Sequence, residues 1–309
     1  MRIEIVVPCF NEQECISLLY DEVERVFRNM KEYDFSILYV DDGSRDKTLE
    51  NIKLLAEKHG KERVKFISFS KNFGKESAIF AGLSKSTGDY VVLMDADLQH
   101  PPVILPQMIM QMEQGYDVCG ARRISRRGEP FIRSRLSKLF YDFINRVTSV
   151  QFVQGGSDFR MMKKKVVQAI ISMEERERFT KGLISWVGFN VKWIEYENVE
   201  RVAGKTKWSL GGLFKYALSG FFAFATTPLR AAVYLGLIID IGSVLYTIFV
   251  IISALTNNAP RTGFSTIIIL LMFFGGTIIL LLGIIGEYLA RIYMEVKKRP
   301  IFIVNDTNI

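Results

Sequence analysis

Apolar residues are distributed along this chain in two distinct ways. Over the first hundred residues, short, mostly apolar runs at 3–7, 35–40, 64–68 and 90–94 alternate with segments whose apolar residues recur at helical spacing. Segment 14–31, with Leu18, Leu19, Val23, Val26 and Phe27, is one such helix, and 48–59 and 76–84 follow. Apolar strands without polar alternation must be covered on both faces, so the pattern predicts an α/β fold, a mostly parallel sheet with helices on either side. In such sheets ligands bind beyond the carboxyl ends of the strands.

The last third is different. Residues 231–255 are apolar apart from Asp240, and 266–286 carry no charge. As helices they extend roughly 37 and 31 Å, enough to cross a hydrocarbon layer of about 30 Å. They are therefore expected to be two transmembrane helices joined by the short polar connection 256–265. That connection holds only Arg261, whereas Arg230 precedes the pair and Arg291, Lys297, Lys298 and Arg299 follow it. Basic residues mark the cytoplasmic side, which places both termini there. The apolar run within residues 1–10 is too short for a signal peptide, so the N-terminus is expected to be retained in the cytosol. Asp240 reads as a helix-pairing, lumen-lining or functional group. Residues 209–227, rich in Phe and Gly, fit a helix lying at the membrane interface or a core helix of the preceding domain.

Composition sharpens this division. Of 40 Lys and Arg, only Arg230, Arg261, Arg291, Lys297, Lys298 and Arg299 fall after residue 228; of 33 Asp and Glu, only Asp240, Glu287, Glu295 and Asp306 do. The 23 Phe and 12 Tyr exclude a disordered chain. Three cysteines, Cys9, Cys15 and Cys119, without C-x-x-C spacing, exclude a disulfide scaffold and suit reduced thiols. Residues 122–146 hold eight basic and two acidic residues in a chain of net charge +7. Phe131, Ile132, Leu136, Leu139, Phe140 and Phe143 interleave with them, which favours a lipid-phosphate surface over nucleic acid. A second basic cluster, Arg201, Lys205 and Lys207, precedes the interfacial segment.

Each of the four strands ends in a polar loop: Pro8-Cys9-Phe10-Asn11-Glu12, Asp41-Asp42-Gly43-Ser44, Ser70-Lys71-Asn72-Phe73-Gly74-Lys75, and Asp95-Ala96-Asp97-Leu98-Gln99. A core alone does not call for this. No G-x-G-x-x-G follows the first strand and no P-loop occurs anywhere, which argues against a dinucleotide dehydrogenase or P-loop NTPase. Asp95 and Asp97, one residue apart, can present oxygens to a hard divalent cation that in turn holds a diphosphate, with Gln99 adding a further oxygen. The simpler alternative is a turn in which Asp97 caps the helix begun by Pro101-Pro102. Gly155-Gly156-Ser157-Asp158-Phe159-Arg160 reads as a glycine-permitted turn with a local ion pair.

These residues together resemble glycosyltransferase family 2, of GT-A fold, and specifically its polyprenyl-phosphate glycosyltransferases: dolichol-phosphate mannose synthases and, closer in their paired C-terminal helices, bactoprenol (undecaprenyl-phosphate) glucosyltransferases. The resemblance runs from VVPCFNE through VDDGSRDKT, KNFGKESA, MDADLQHPP, GGSDFRMM and ERFTKGLISWVGF to RVAGKTKWS and the helix pair. It implies a GT-A catalytic domain over 1–208, an interfacial helix over 209–228, two transmembrane helices within 229–292 and a cytosolic tail over 293–309. It implies that Pro8, Phe10, Glu12, Asp42, Lys75, Asp95 and Ala96 bind the nucleotide sugar, and that Asp95, Asp97 and Gln99 hold Mg²⁺ or Mn²⁺. Arg123, Arg135, Arg201 and Lys205 would bind donor and acceptor phosphates. Asp158 falls where relatives place an active-site acid, and with Asp97 it forms the expected catalytic pair. Where processive synthases carry Q-x-x-R-W, this chain has Glu177-Arg178-Phe179-Thr180-Lys181-Gly182, which argues against a polymerase.

The implied reaction is inverting transfer of a sugar, UDP-glucose being the favoured donor, to undecaprenyl phosphate at the cytoplasmic face of the cell membrane. GDP-mannose with a polyprenyl phosphate, or a different lipid acceptor, are the alternatives. Gly275, Gly276, Gly283 and Gly286 suit helix packing between subunits of a homo-oligomer.

Overall fold

The computed structural model describes residues 1–123, 142, 144–146, 148, 150–197, 227–256 and 263–309. The expected alternation is present: β1 (Arg2–Cys9), α1 (Ile16–Phe27), β2 (Asp34–Asp41), α2 (Thr48–His59), β3 (Val64–Phe69), α3 (Lys75–Lys85) and β4 (Tyr90–Leu93). A 3₁₀ turn (Pro102–Ile104), α4 (Leu105–Glu113), β5 (Val118–Arg123), β6 (Gly156–Lys163), α5 (Lys164–Ile171), α6 (Thr180–Trp186) and β7 (Val191–Tyr196) follow. Then come α7 (Thr227–Leu255), α8 (Phe264–Val296) and β8 (Val304–Thr307).

Among the described residues, eight strands form one sheet in the order β7-β5-β6-β4-β1-β2-β3-β8. β1 pairs in parallel with β2 and β4, β2 with β3, and β5 with β7. β6 runs antiparallel between β4 and β5, and β8 lies antiparallel on β3. Successive residues of β1 serve opposite cores: Ile3, Ile5 and Val7 pack with α1 and α4, whereas Val6 packs with Ala78, Ile79 and Ala81 of α3. This two-sided burial is the reason the strands read as continuous apolar runs.

Glu4 is the exception within β1. It is fully buried and accepts a bond of 2.7 Å from Lys65 Nζ on β3 and another from Ser36 Oγ on β2. Its other oxygen accepts from the backbone N–H groups of Thr87 and Gly88, closing the turn before β4.

Several boundaries differ from the sequence expectation. α1 begins at Ile16 because Cys15 N–H closes a turn onto Glu12 O. Its buried face is Ile16, Leu19, Tyr20, Val23 and Phe27, while Leu18 is exposed. The glycine-permitted turn expected at 155–160 is confined to Gly155, at φ +79°. From Gly156 the chain is strand β6, and Asp158 pairs with the distant lysines Lys75 and Lys181. The tail expected from residue 293 is first the end of α8, to Val296, and then β8, a member of the sheet.

The chain divides into two compact units, Met1–Ala223 with Arg299–Ile309, and Phe224–Lys298. In the second unit α7 has 29 residues and α8 has 33. Leu270–Val296 is long and apolar enough to cross a membrane; the apolar stretch of α7, Ala231–Tyr246, is shorter. Leu271, Met272, Ile279 and Leu282 of α8 are exposed. Of the expected interfacial segment, 209–226 lie outside the described residues, as do 257–262 of the connection between the two helices.

Candidate active site

The parallel register of β4, β1, β2 and β3 brings four loops to the same end of the sheet. The first two are stitched together: Asn11 N–H donates to Ser44 Oγ, Arg45 N–H to Asn11 Oδ1, and Glu12 N–H to Thr48 Oγ1. Asp42 ties the second to the third, accepting from Phe73 N–H at 2.6 Å and from Gly74 N–H at 2.9 Å. Gly43, at φ +67°, makes this approach possible, because a Cβ there would lie 2.4 Å from the Lys71 carbonyl carbon. In the fourth loop Leu98 is held at φ +58° between Asp97 and Gln99. A left-handed branched residue is costly, and such strain is found where a loop must present particular groups.

The loops enclose a cleft of about 260 Å³ lined by Pro8, Cys9, Phe10, Glu12, Asp42, Asn72, Gly74, Lys75, Ala78, Asp95, Ala96 and Asp97. All seven residues singled out for nucleotide-sugar binding are in its walls, with Asp97. Gln99 is not among the lining residues; its N–H donates to Asp97 Oδ1 at 3.2 Å, fixing that carboxylate within its loop.

Beside the cleft, Lys75 bridges two carboxylates, 2.6 Å from Asp95 Oδ1 and 2.7 Å from Asp158 Oδ2. Lys181, at the start of α6, lies 3.4 Å from Asp158 Oδ1. Burial works to raise the Asp158 carboxyl, but Lys181 and Lys75 outweigh it and hold the group well below the usual carboxylate range. Burial likewise works to lower Lys75, and Asp158 with Asp95 hold its ammonium above the ordinary lysine value instead. Burial pushes the Asp42 carboxyl up to about 6, against the two backbone N–H donors. Cys9 in the cleft wall is pushed well up by burial and stays a thiol.

Two residues of this cluster, Lys181 and His100, were not singled out from the sequence. Lys181 reaches Asp158 because Glu76, next to Lys75, accepts from both N–H and Oγ1 of Thr180, docking α6 on the start of α3. His100 sits with Nε2 3.9 Å from Asp95 Oδ2 and Nδ1 2.7 Å from the Tyr196 hydroxyl on β7. Burial pulls its imidazole below the ordinary value against Asp95, Asp97 and Asp158, so it stands neutral near pH 7. Asn72 and Gly74 complete the third loop's share of the wall. Arg123 ends β5, and its Nε is buried without a hydrogen-bond partner among the described residues. Arg135, Arg201 and Lys205 lie outside the described residues.

A mostly parallel α/β sheet with a D-x-D loop at the end of its fourth strand, facing an acid–lysine cluster, is the layout of a GT-A-type glycosyltransferase. The family model described as "Glycosyl transferase family 2" matches residues 4–171, and the chain belongs to that family. It is 44% identical over 307 residues to CsbB of Bacillus subtilis, covering 99% of this chain and 92% of that one. It is 38% identical over 308 residues to the SfII prophage-derived bactoprenol glucosyl transferase of Shigella flexneri, covering 100% and 99%. The prophage bactoprenol glucosyl transferase homolog of Escherichia coli K12 is 36% identical, with 98% of each chain covered. Among solved structures, glucosyl-3-phosphoglycerate synthase from Mycobacterium tuberculosis, in complex with Mn²⁺ and UDP-glucose, aligns with a TM-score of 0.45 at 16% identity. That alignment covers 70% of this chain and 75% of that one, a likeness too loose to transfer chemistry.

Proposed function

We propose that this glycosyltransferase moves glucose from UDP-glucose to undecaprenyl phosphate at the cytoplasmic face of the cell membrane, with inversion at the anomeric carbon. The observation that carries the reading is the convergence of Pro8, Phe10, Glu12, Asp42, Lys75, Asp95, Ala96 and Asp97 on one cleft, with Asp158 joined to it through Lys75. Full-length similarity to proteins named bactoprenol glucosyl transferase supports the acceptor and the sugar.

In this mechanism a phosphate oxygen of the lipid attacks the anomeric carbon while the bond from that carbon to the diphosphate oxygen breaks. The nucleophile is ionised near pH 7 and needs no strong base. Asp158, kept anionic by two ammonium groups, has little tendency to take a proton there. It serves by orienting the sugar hydroxyls, and Lys75 couples it to Asp95. Asp42 and Glu12, in the wall of the cleft, are assigned to the nucleoside. Asp95 and Asp97, with Gln99, offer hard oxygen donors suited to Mg²⁺ or Mn²⁺. Among the described residues no three Asp, Glu, His or Cys side chains form a cation cage. When bound, such an ion neutralises charge on the departing diphosphate. Arg123, Arg135, Arg201 and Lys205 contribute positive charge for donor and acceptor phosphates.

Membrane insertion through a helix pair is part of the reading. The chain leaves its first unit at Ala223 and rejoins it at Arg299, and β8 pairs with β3 of that unit. A segment that leaves and returns to one side must cross the bilayer an even number of times. Because α8 is long enough to cross, α7 supplies the partner crossing. Catalytic domain and both termini then share the cytoplasmic side, and glycines 275, 276, 283 and 286 are available for helix packing between protomers.

The test is incubation of the purified full chain with a panel of UDP- and GDP-sugars and undecaprenyl phosphate, scoring lipid-linked product. UDP-glucose should give the fastest transfer; product from GDP-mannose alone would replace the donor assignment. Asp158→Asn should lose turnover by about 10²-fold or more while keeping UDP affinity. Near-normal turnover would remove Asp158 from the site.

A further inference from the structure

The segment following α8 does more than close the edge of the sheet. β8 pairs with β3, and Ser70 N–H, at the head of the third strand-end loop, donates to Ile303 O. Phe302 stacks on Phe69 at 4.9 Å between ring centroids and 15° between planes, and meets the edge of Phe80 on α3 at 6.4 Å. Phe69 in turn holds Phe73 edge-on at 5.8 Å. Phe73 and its neighbour Gly74 are the two residues whose N–H groups bond Asp42, and Asp42, Asn72 and Gly74 all line the cleft. A continuous packed path thus runs from Phe302 through Phe69 and Phe73 to the cleft wall.

The far end of the same strand is held independently of this path. Asn308 accepts from Phe66 N–H and donates to Val64 O, and Asp306 pairs with Lys53 at 2.5 Å. These contacts reach neither Phe69 nor Phe73. Edge covering and loop support are therefore carried by different residues of one short segment, which lets the two roles be separated.

We propose that Phe302 is a positioning residue for the nucleotide site: the segment Arg299–Ile309, which continues directly from α8, holds the 70–74 loop in the form that binds the donor. The identity of that donor rests on the nucleotide-sugar reading above. The physical basis is that two peptide N–H groups can be aimed at one carboxylate only while their loop is fixed, and the stacked ring supplies the fixing surface.

The experiment compares full-length wild type, Phe302→Ala, Phe302→Leu and Asn308→Ala in detergent. In ligand-free protein, amide exchange at residues 70–74 should quicken about tenfold in Phe302→Ala and stay within twofold of wild type in Asn308→Ala. UDP affinity, measured by titration calorimetry with Mn²⁺, should fall five- to tenfold in Phe302→Ala. Donor KM should rise by a similar factor while kcat and acceptor KM hold, and Phe302→Leu should recover part of the loss. Equal effects of Phe302→Ala and Asn308→Ala on exchange and affinity would reduce the segment to an edge cover and overturn the proposal. So would unchanged exchange at 70–74 in Phe302→Ala. Failure of wild type to bind UDP would instead strike the donor assignment, and the exchange comparison would still decide the role of Phe302.

Discussion

The two units use the same side chains in opposite ways. In the first, Ile5, Val6, Leu38 and Ile67 are buried between helices and sheet, and the charged residues kept inside, such as Glu4, are paired. In the second, Leu271 of α8 is 73% exposed and Ile279 72%. Water drives the first arrangement. In a membrane, as proposed, the second meets hydrocarbon in place of water, and the cost of about 25 cal/mol for every Å² of apolar surface left in water does not arise. The same residue type therefore does not have the same role: what an isoleucine contributes depends on the surroundings its unit gives it.

Substitutions can break this contrast. The largest expected effect is on the buried ion pair. Lys65→Met leaves Glu4 charged and sealed with its remaining donors, which should cost about 3–5 kcal/mol in urea denaturation of the full chain followed by tryptophan fluorescence. A loss under about 1 kcal/mol would mean that the serine and the turn N–H groups satisfy Glu4 without the lysine.

Next comes a matched pair of truncations. Ile5→Ala, fully buried in the first unit, should cost about 2–5 kcal/mol by the same measurement. Leu271→Ala on α8 should leave that transition within about 0.5 kcal/mol and leave the protein in the membrane fraction. If the two substitutions cost the same, the exposed stripe of α8 is a packing surface and not a lipid-facing one.

The smallest effect is a pH dependence at the cleft. Burial raises Asp42 to about 6, so the folded protein holds that proton more tightly than the unfolded chain does. The stabilisation from it is complete below about pH 4 and is lost as pH rises through about 6. Asn, neutral at every pH, lacks this dependence. The stability difference between wild type and Asp42→Asn should therefore shift against wild type from pH 4.5 to 7.5. A difference independent of pH would mean that the N–H donors of Phe73 and Gly74 compensate burial fully.

Much of the catalytic unit could be read from the chain because its signals are local. Each strand is a mostly apolar run followed within a few residues by its polar loop, so the four loops and the Asp95–Asp97 pair were found by position, Pro8, Phe10, Glu12, Asp42 and Lys75 were picked out of them by resemblance, and the fold places all of them together. Asp158 was found by resemblance, while the strand that carries it was mistaken for a turn. Two adjacent glycines look like a bend until an antiparallel ladder with β4 and β5 is formed. Lys181 and His100 were not singled out, since Lys181 matters through a carboxylate, Asp158, and His100 through a hydroxyl, Tyr196, that only the fold brings to them.

The sequence by itself determined the architecture of the first unit, the D-x-D loop and the apolarity of the last third, because period, run length and residue type are properties of neighbours along the chain. Only the tertiary structure decided that Lys75 and Lys181 hold Asp158 ionised, and that a mostly polar tetrapeptide, Val304–Thr307, becomes a strand paired with β3. Neither fact has a local cause. A carboxylate's charge depends on the cations that folding places within a few ångströms of it, and an edge strand forms where unpaired backbone groups are waiting, whatever its own side chains prefer.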